Sequence, residues 1–123
     1  MTLRYTKPPS QRQLRVGEVI RAEISHLLSK GIMINYGLDG VMLSVSEVRI
    51  SPDLKIATAF LSSPISEDRK KVTAILKTLS TDIRKIITPR LNLRFSPEIR
   101  FIFDTNTSVD NIEKILINLK AQN

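Results

Sequence analysis

The chain has no cysteine and no tryptophan, and its 123 residues include only one histidine and four glycines. Without cysteine there can be no disulfide, no thiolate metal site and no cysteine nucleophile. The single histidine, His26, cannot build a usual zinc site by itself. It lies off the apolar face of the first helical stretch and reads as a surface residue. Aromatic residues are few, at 5%, and no strand is rich enough in Phe and Tyr to serve as a stacking platform, so base stacking is expected to be secondary to phosphate contact. No uninterrupted apolar run is long enough to cross a bilayer, so no membrane partner is expected. Met1 to Ser10 lack the apolar block of a signal peptide. An intracellular, reducing, cytoplasmic home is therefore expected, although the lack of cysteine by itself fits any compartment. Carboxylates are scattered singly, with no close pair, nucleophile elbow or phosphate loop. No catalytic residue, metal or cofactor is expected.

What is abundant is positive charge. Nineteen Lys and Arg against twelve Asp and Glu give a formal net charge of +7, and the pI is near 10.1. Such a field attracts RNA, DNA or an anionic membrane surface. The length bounds the chain to one domain with a modest core. The stretch Arg90 to Phe101 concentrates the charge, with Arg90, Arg94 and Arg100 leading into a strand. There Ile99, Phe101 and Phe103 point one way while Arg100, Ile102 and Asp104 point the other. That strand is shaped to sit beside a polyanion.

Along the chain, Met1 to Pro9 form a short flexible lead-in. Ser10 then caps a helix whose Val16, Ile20, Ile24, Leu27 and Leu28 recur at helical spacing and which fades at Gly31. A turn-rich connection, Asn35 to Gly40, leads to a strand alternating at Val41, Leu43 and Val45. Val48 and Ile50 follow in the opposite phase, which predicts a bulge near Ser46-Glu47. Ser51-Pro52-Asp53 punctuates, and Leu54 to Leu61 completes a hairpin. Ser66 is the expected N-cap of the next helix, with Glu67 and Asp68 at the positive end of its dipole. Val72, Ile75, Leu76, Leu79, Ile83, Ile86 and Ile87 hold one apolar stripe up to Thr88, where Pro89 disfavours continuation. After the strand at Ile99 to Phe103, a final helix is expected from Thr107 or Ser108. This order predicts a two-layer α+β domain.

At about 100° per residue, Lys70, Thr73, Lys77, Thr81, Arg84 and Thr88 fall opposite the apolar stripe. Cations spaced among hydroxyls suit a run of phosphates, because charge attracts and hydroxyls donate hydrogen bonds. Most charged helix faces are only solvated; the arginines downstream tilt this one toward RNA.

Four segments together carry a resemblance. They are Arg12 to Ile20, Glu47 to Ala57 with its Ser-Pro-Asp turn, Arg90 to Phe101, and Asp104 before the last helix. In this order and spacing, over nearly the whole length, the chain resembles the bacterial ribosome-binding factor A family. The resemblance implies a type II KH-like domain over residues 10–104, ordered helix-strand-strand-helix-helix-strand. Residues 1–9 would be the lead-in, and 105–123 an additional C-terminal helix packed on the domain or extending it. It also implies that the long helical segment is two helices. In the family an Ala-x-Gly element makes the kink; the matching positions here are Leu79-Ser80-Thr81, where Ser80 can bend a helix by bonding back to a carbonyl. Gly37-Leu38-Asp39-Gly40 spells the G-x-x-G of KH phosphate clamps, but it precedes a strand and carries an acid, so it reads as an ordinary loop.

The function implied is that of an assembly factor, not an enzyme. It would bind the immature 30S ribosomal subunit and its 16S rRNA near the 5′ end, assist 5′-end maturation and support growth in the cold, acting as a monomer when free. The candidate RNA-binding residues are Lys70, Lys77, Ser80, Thr81, Arg84, Lys85, Arg90, Arg94 and Arg100. The alternatives are a generic KH-like module without the ribosome and an RNA-processing enzyme.

Overall fold

A computed structural model describes residues 8–103 of the chain. The expected C-terminal helix, Asp104 and most of the lead-in lie outside the described residues.

Helix α1 spans Gln11–Ser29 and starts as the sequence predicts. Ser10 Oγ accepts from the Gln13 amide while the Gln13 side chain accepts from the Ser10 amide, a reciprocal capping box. Gln13 also donates to the Ile50 carbonyl at 3.0 Å, tying the helix start to the sheet. Ile20 and Ile24 are fully buried, and Val16, Leu27 and Leu28 pack against the core. Gly17 lets α1 lie against the sheet backbone, since a Cβ there would meet the Val48 carbonyl oxygen at 2.7 Å. Gly31, at φ 85°, ends the helix, and a 3₁₀ turn at Ile32–Tyr36 buries Ile32 and Met33.

Strands β1 (Ser44–Ile50) and β2 (Ile56–Ser62) form the expected antiparallel hairpin. The bulge falls between Val45 and Glu47, as the phase change predicts. Both strands start later than expected, and each delay has a local cause. The Met42 amide is taken by Asp68 Oδ2 at 2.9 Å, so it is lost to a ladder. Leu54 sits at φ 61° inside the turn. There Ser51 Oγ donates to Asp53 Oδ1 at 2.6 Å and accepts from the Lys55 and Ile56 amides. Strand β3 (Glu98–Phe103) adds parallel to β2, giving the order β1-β2-β3.

Two helices connect β2 to β3: α2 (Ser66–Thr73) and α3 (Leu76–Ile87). Two details depart from the sequence expectation. The N-cap of α2 is Ile65 rather than Ser66, with no side-chain cap bond; Ser63 Oγ accepts from the Ile65 amide instead. The helix break falls at Ala74-Ile75, not at Leu79-Ser80-Thr81. Ile75 leaves helical geometry (φ −118°, ψ 9°), and its amide bonds three residues back to Val72. Thr73 Oγ1 bonds back to the Arg69 carbonyl just before the break, a contact that bends helices. Ser80 spends its hydroxyl elsewhere, donating to the Ile99 carbonyl on β3 at 2.7 Å. It staples α3 to the sheet and does not bend its own helix.

The order helix-strand-strand-helix-helix-strand is the one the resemblance implied. All three helices cover one face of the sheet. Ile20, Ile24, Val72, Leu79, Ile83 and Ile87 meet Val45, Val48, Ile50, Ala57, Ala59, Leu61, Ile99 and Phe101 in one core. Emptying a position such as Ile83 would cost about 2–5 kcal/mol. Among the described residues no helix is long and apolar enough to cross a membrane.

Candidate nucleic-acid interface

The buried stripe of α3 fixes what its other side presents. Leu79, Ile83 and Ile87 are fully buried, so Lys77, Thr81, Arg84 and Lys85 stand on the exposed side. Lys77 and Lys85 have no hydrogen-bond or ion-pair partner among the described residues. The one acid of α3, Asp82, accepts a hydrogen bond from the Tyr36 hydroxyl at 2.7 Å. Partial burial and this carboxylate push the Tyr36 pKa up to about 12. Arg84 donates through Nη2 to the Ser96 carbonyl at 2.7 Å and through Nε to Ser96 Oγ. Both acceptors are neutral; its guanidinium also helps to hold the Glu98 carboxyl below its ordinary range, and its geometry fastens the loop before β3.

The hydroxyls along this ridge are not free donors. Thr81 Oγ1 donates to the Lys77 carbonyl at 3.1 Å, and Thr88 Oγ1 to that of Arg84 at 2.6 Å. Helix geometry brings the i−4 carbonyl within reach, and the backbone takes the proton. The ridge therefore offers phosphates cationic donors, with threonine oxygens able only to accept.

The remaining candidates are dispersed. Lys70 is exposed on α2, across the helix break from the ridge. Arg90 lies in the 3₁₀ turn Thr88–Arg90 and pairs with Glu23 of α1 at 3.2 Å. Arg94 is exposed in the following loop and unpaired among the described residues. Arg100 stands on the opposite face of the sheet from α3, because Ile99 and Phe101 take the helix side. It pairs with Glu98 at 2.9 Å, and that bond holds the Glu98 carboxyl below its ordinary range. The nine candidates are thus not one surface: Lys77, Thr81, Arg84 and Lys85 form the ridge, and Ser80 lies behind it as a staple.

Three comparisons with known proteins bear on this geometry. The profile of the family described as ribosome-binding factor A matches residues 12–116. The chain belongs to the ribosome-binding factor A family. A ribosome-binding factor A from Chelativorans is 48% identical over 108 residues, covering 87% of this chain and 79% of the relative. Its counterpart from Roseobacter denitrificans is 42% identical, covering 81% and 71%. Among solved structures, a Thermotoga maritima protein described as a putative ribosome binding factor A superposes with TM-score 0.58 at 28% identity, over 80% of this chain and 92% of that one. Ribosome-binding factor A from Thermus thermophilus gives TM-score 0.56 at 15% identity, over 74% and 94%. The ribosome-binding factor A fold is thus shared over most of the described chain.

Sequence reasoning overlooked two functional-looking side chains, Arg12 and Phe95. Phe95 is 60% exposed, more than any other large apolar side chain among the described residues. A phenylalanine set between Arg94 and Ser96, ahead of the strand that buries Ile99 and Phe101, is the signal the sequence offers.

Proposed function

We propose that this chain is an assembly factor for the small ribosomal subunit. It binds the immature 30S particle and its 16S rRNA, and it assists maturation of the precursor's 5′ end without itself catalysing a reaction. The observation that carries the proposal is the α3 ridge, where Lys77 and Lys85 have no ion-pair partner among the described residues and Arg84 hydrogen-bonds only neutral oxygens, in a chain whose relatives are named ribosome-binding factors. Binding energy comes from phosphate neutralisation and counterion release. It holds one RNA arrangement over its competitors, a population shift that needs no bond made or broken. Acting on ribosomal particles places this work in the cytoplasm, and the free protein acts as a monomer.

Cosedimentation with purified small subunits, followed by mapping of protected RNA positions, tests the proposal. Protection clustered near the 5′ region of the 16S RNA is expected. Equal binding to free RNA and to the subunit would favour a generic KH-like module. Cleavage of precursor RNA by the purified protein with a divalent metal would favour an enzyme instead.

A further inference from the structure

At one end of the molecule, Arg12, Asp53, Leu54, Leu93, Arg94 and Phe95 line a cleft of about 220 Å³. Pockets that enclose whole small molecules run to about 300–1,000 Å³, so this cleft suits a part of a larger ligand, one unit of a chain lying across it, and not a free small molecule. Three elements meet there: the first turn of α1, the hairpin turn between β1 and β2, and the loop before β3. We propose that the cleft holds one unpaired nucleotide of the bound RNA, its base stacked on the Phe95 ring and its phosphate between Arg12 and Arg94. This inference rests on the RNA-binding function proposed above and adds a contact separate from the α3 ridge.

The platform is held in place before any ligand arrives. Phe95 is the outward residue of a loop fastened on both sides. Ser96 is bonded to Arg84 and Thr88, Pro97 is fully buried, and the Leu91 side chain is buried while its amide bonds to Thr88. An exposed phenylalanine on a fixed loop gives a base a stacking surface that needs no ordering on binding. The charges point the same way. Arg12 and Arg94 have no hydrogen-bond or ion-pair partner among the described residues. Asp53 is the single acid, and its Oδ1 already accepts from Ser51 Oγ and the Lys55 amide. Two uncommitted guanidiniums against one internally bonded carboxylate leave the cleft cationic. An apolar ring sharing a cleft with two guanidiniums fits a base joined to phosphates better than it fits an acidic peptide, which would use the charges and leave the ring idle.

The test uses the full chain with two probes: fluorescein-labelled single-stranded oligoadenylate and purified small subunits. Phe95→Ala is expected to weaken both interactions about tenfold, within the range of base–aromatic stacking, with the salt dependence unchanged. Phe95→Trp should restore binding. The Arg12→Gln, Arg94→Gln double variant should weaken binding and lower the log–log salt slope by about one to two. Thermal unfolding should stay near wild type, because all three side chains are exposed. If Phe95→Ala binds both probes as wild type, the cleft proposal is wrong; subunit binding that still falls on Lys77→Gln with Lys85→Gln would then leave the proposed function standing. If the cleft variants weaken subunit binding but not oligonucleotide binding, the occupant is an acidic protein segment and the nucleotide is overturned. Wild-type protein that binds neither probe would remove the RNA-binding function itself.

Discussion

The exposed side of α3 and the open face of the sheet both carry Lys or Arg, yet one stays cationic while the other is largely neutralised by ion pairs. On the sheet face, Arg49 bonds to Glu47 at 2.8 Å and Arg100 to Glu98 at 2.9 Å, each pair on one strand and about half exposed. Arg49 also lies over the Phe60 ring, 5.1 Å from its centroid. On α3, Lys77 and Lys85 are unpaired among the described residues, Arg84 bonds only neutral oxygens, and Asp82 is occupied by Tyr36. A count of arginines and lysines would rank the two faces together. The partner of each charge separates them, and only the ridge keeps a field that a phosphate chain can use.

That contrast can be broken by mutation. The largest effect is expected from Lys77→Glu with Lys85→Glu. Subunit binding should fall on the order of a hundredfold, because attraction to phosphate becomes repulsion. Stability should stay within about 0.5 kcal/mol, the range for surface changes away from special features. Cosedimentation and thermal unfolding on the same preparations would check both halves.

Tyr36→Phe comes next, since it releases the one acid of the ridge helix. Losing a hydrogen bond to a charged group should cost about 1.5–3 kcal/mol, toward the lower end at this partly exposed site. The wild type should also show a pH signature. Folded Tyr36 keeps its proton to about pH 12, whereas its ordinary value is 10.0. The stabilisation is therefore whole below about pH 10 and is lost as the pH rises through 12. The urea midpoint of the wild type should fall as the pH rises through that window, and the Tyr36-dependent part of the fall should vanish in the variant.

Ser80→Ala cuts the link between the two faces. It removes the hydroxyl that α3 donates to Ile99 of β3, and a loss of about 1 kcal/mol is expected. Thr81→Ala, whose hydroxyl bonds only within the helix, should change stability little or raise it slightly. Equal losses at both positions would show that the cross-element bond adds nothing. The smallest effect is expected from Arg49→Gln with Arg100→Gln. Exposed ion pairs contribute about 0–1 kcal/mol, and subunit binding should remain within about twofold of wild type.

How far these contrasts were legible in the sequence depends on the reach of each interaction. Local ones were readable: the Ser10 cap, the bulge between Val45 and Glu47, the Ser51-Pro52-Asp53 turn, and the burial of Ile99 and Phe101. The position of the helix break was not, because Ser80 finds its partner 19 residues away on another element. Angular counting puts Lys77, Thr81 and Arg84 on the polar face where they stand, but it joins to them Lys70 and Thr73, which belong to α2 across the helix break, and it cannot show that Thr81 and Thr88 give their protons back to the helix. The neutralisation of Arg100 is itself a local feature. Two residues apart on a strand share a face, so Glu98 beside Arg100 already predicted a pair. Arg12 and Phe95 lie more than eighty positions apart in the chain and meet only once the hairpin turn and the loop before β3 are folded.

The most direct measurement is the salt dependence of small-subunit binding for three proteins: wild type, Lys77→Gln with Lys85→Gln, and Arg49→Gln with Arg100→Gln. The wild type should show a steep negative log–log slope. The ridge variant should lose about two from its magnitude, roughly one per phosphate contact, while the sheet variant keeps the wild-type slope. A flat wild-type response, or a slope that drops in the sheet variant and survives in the ridge variant, would contradict the assignment of phosphate binding to α3.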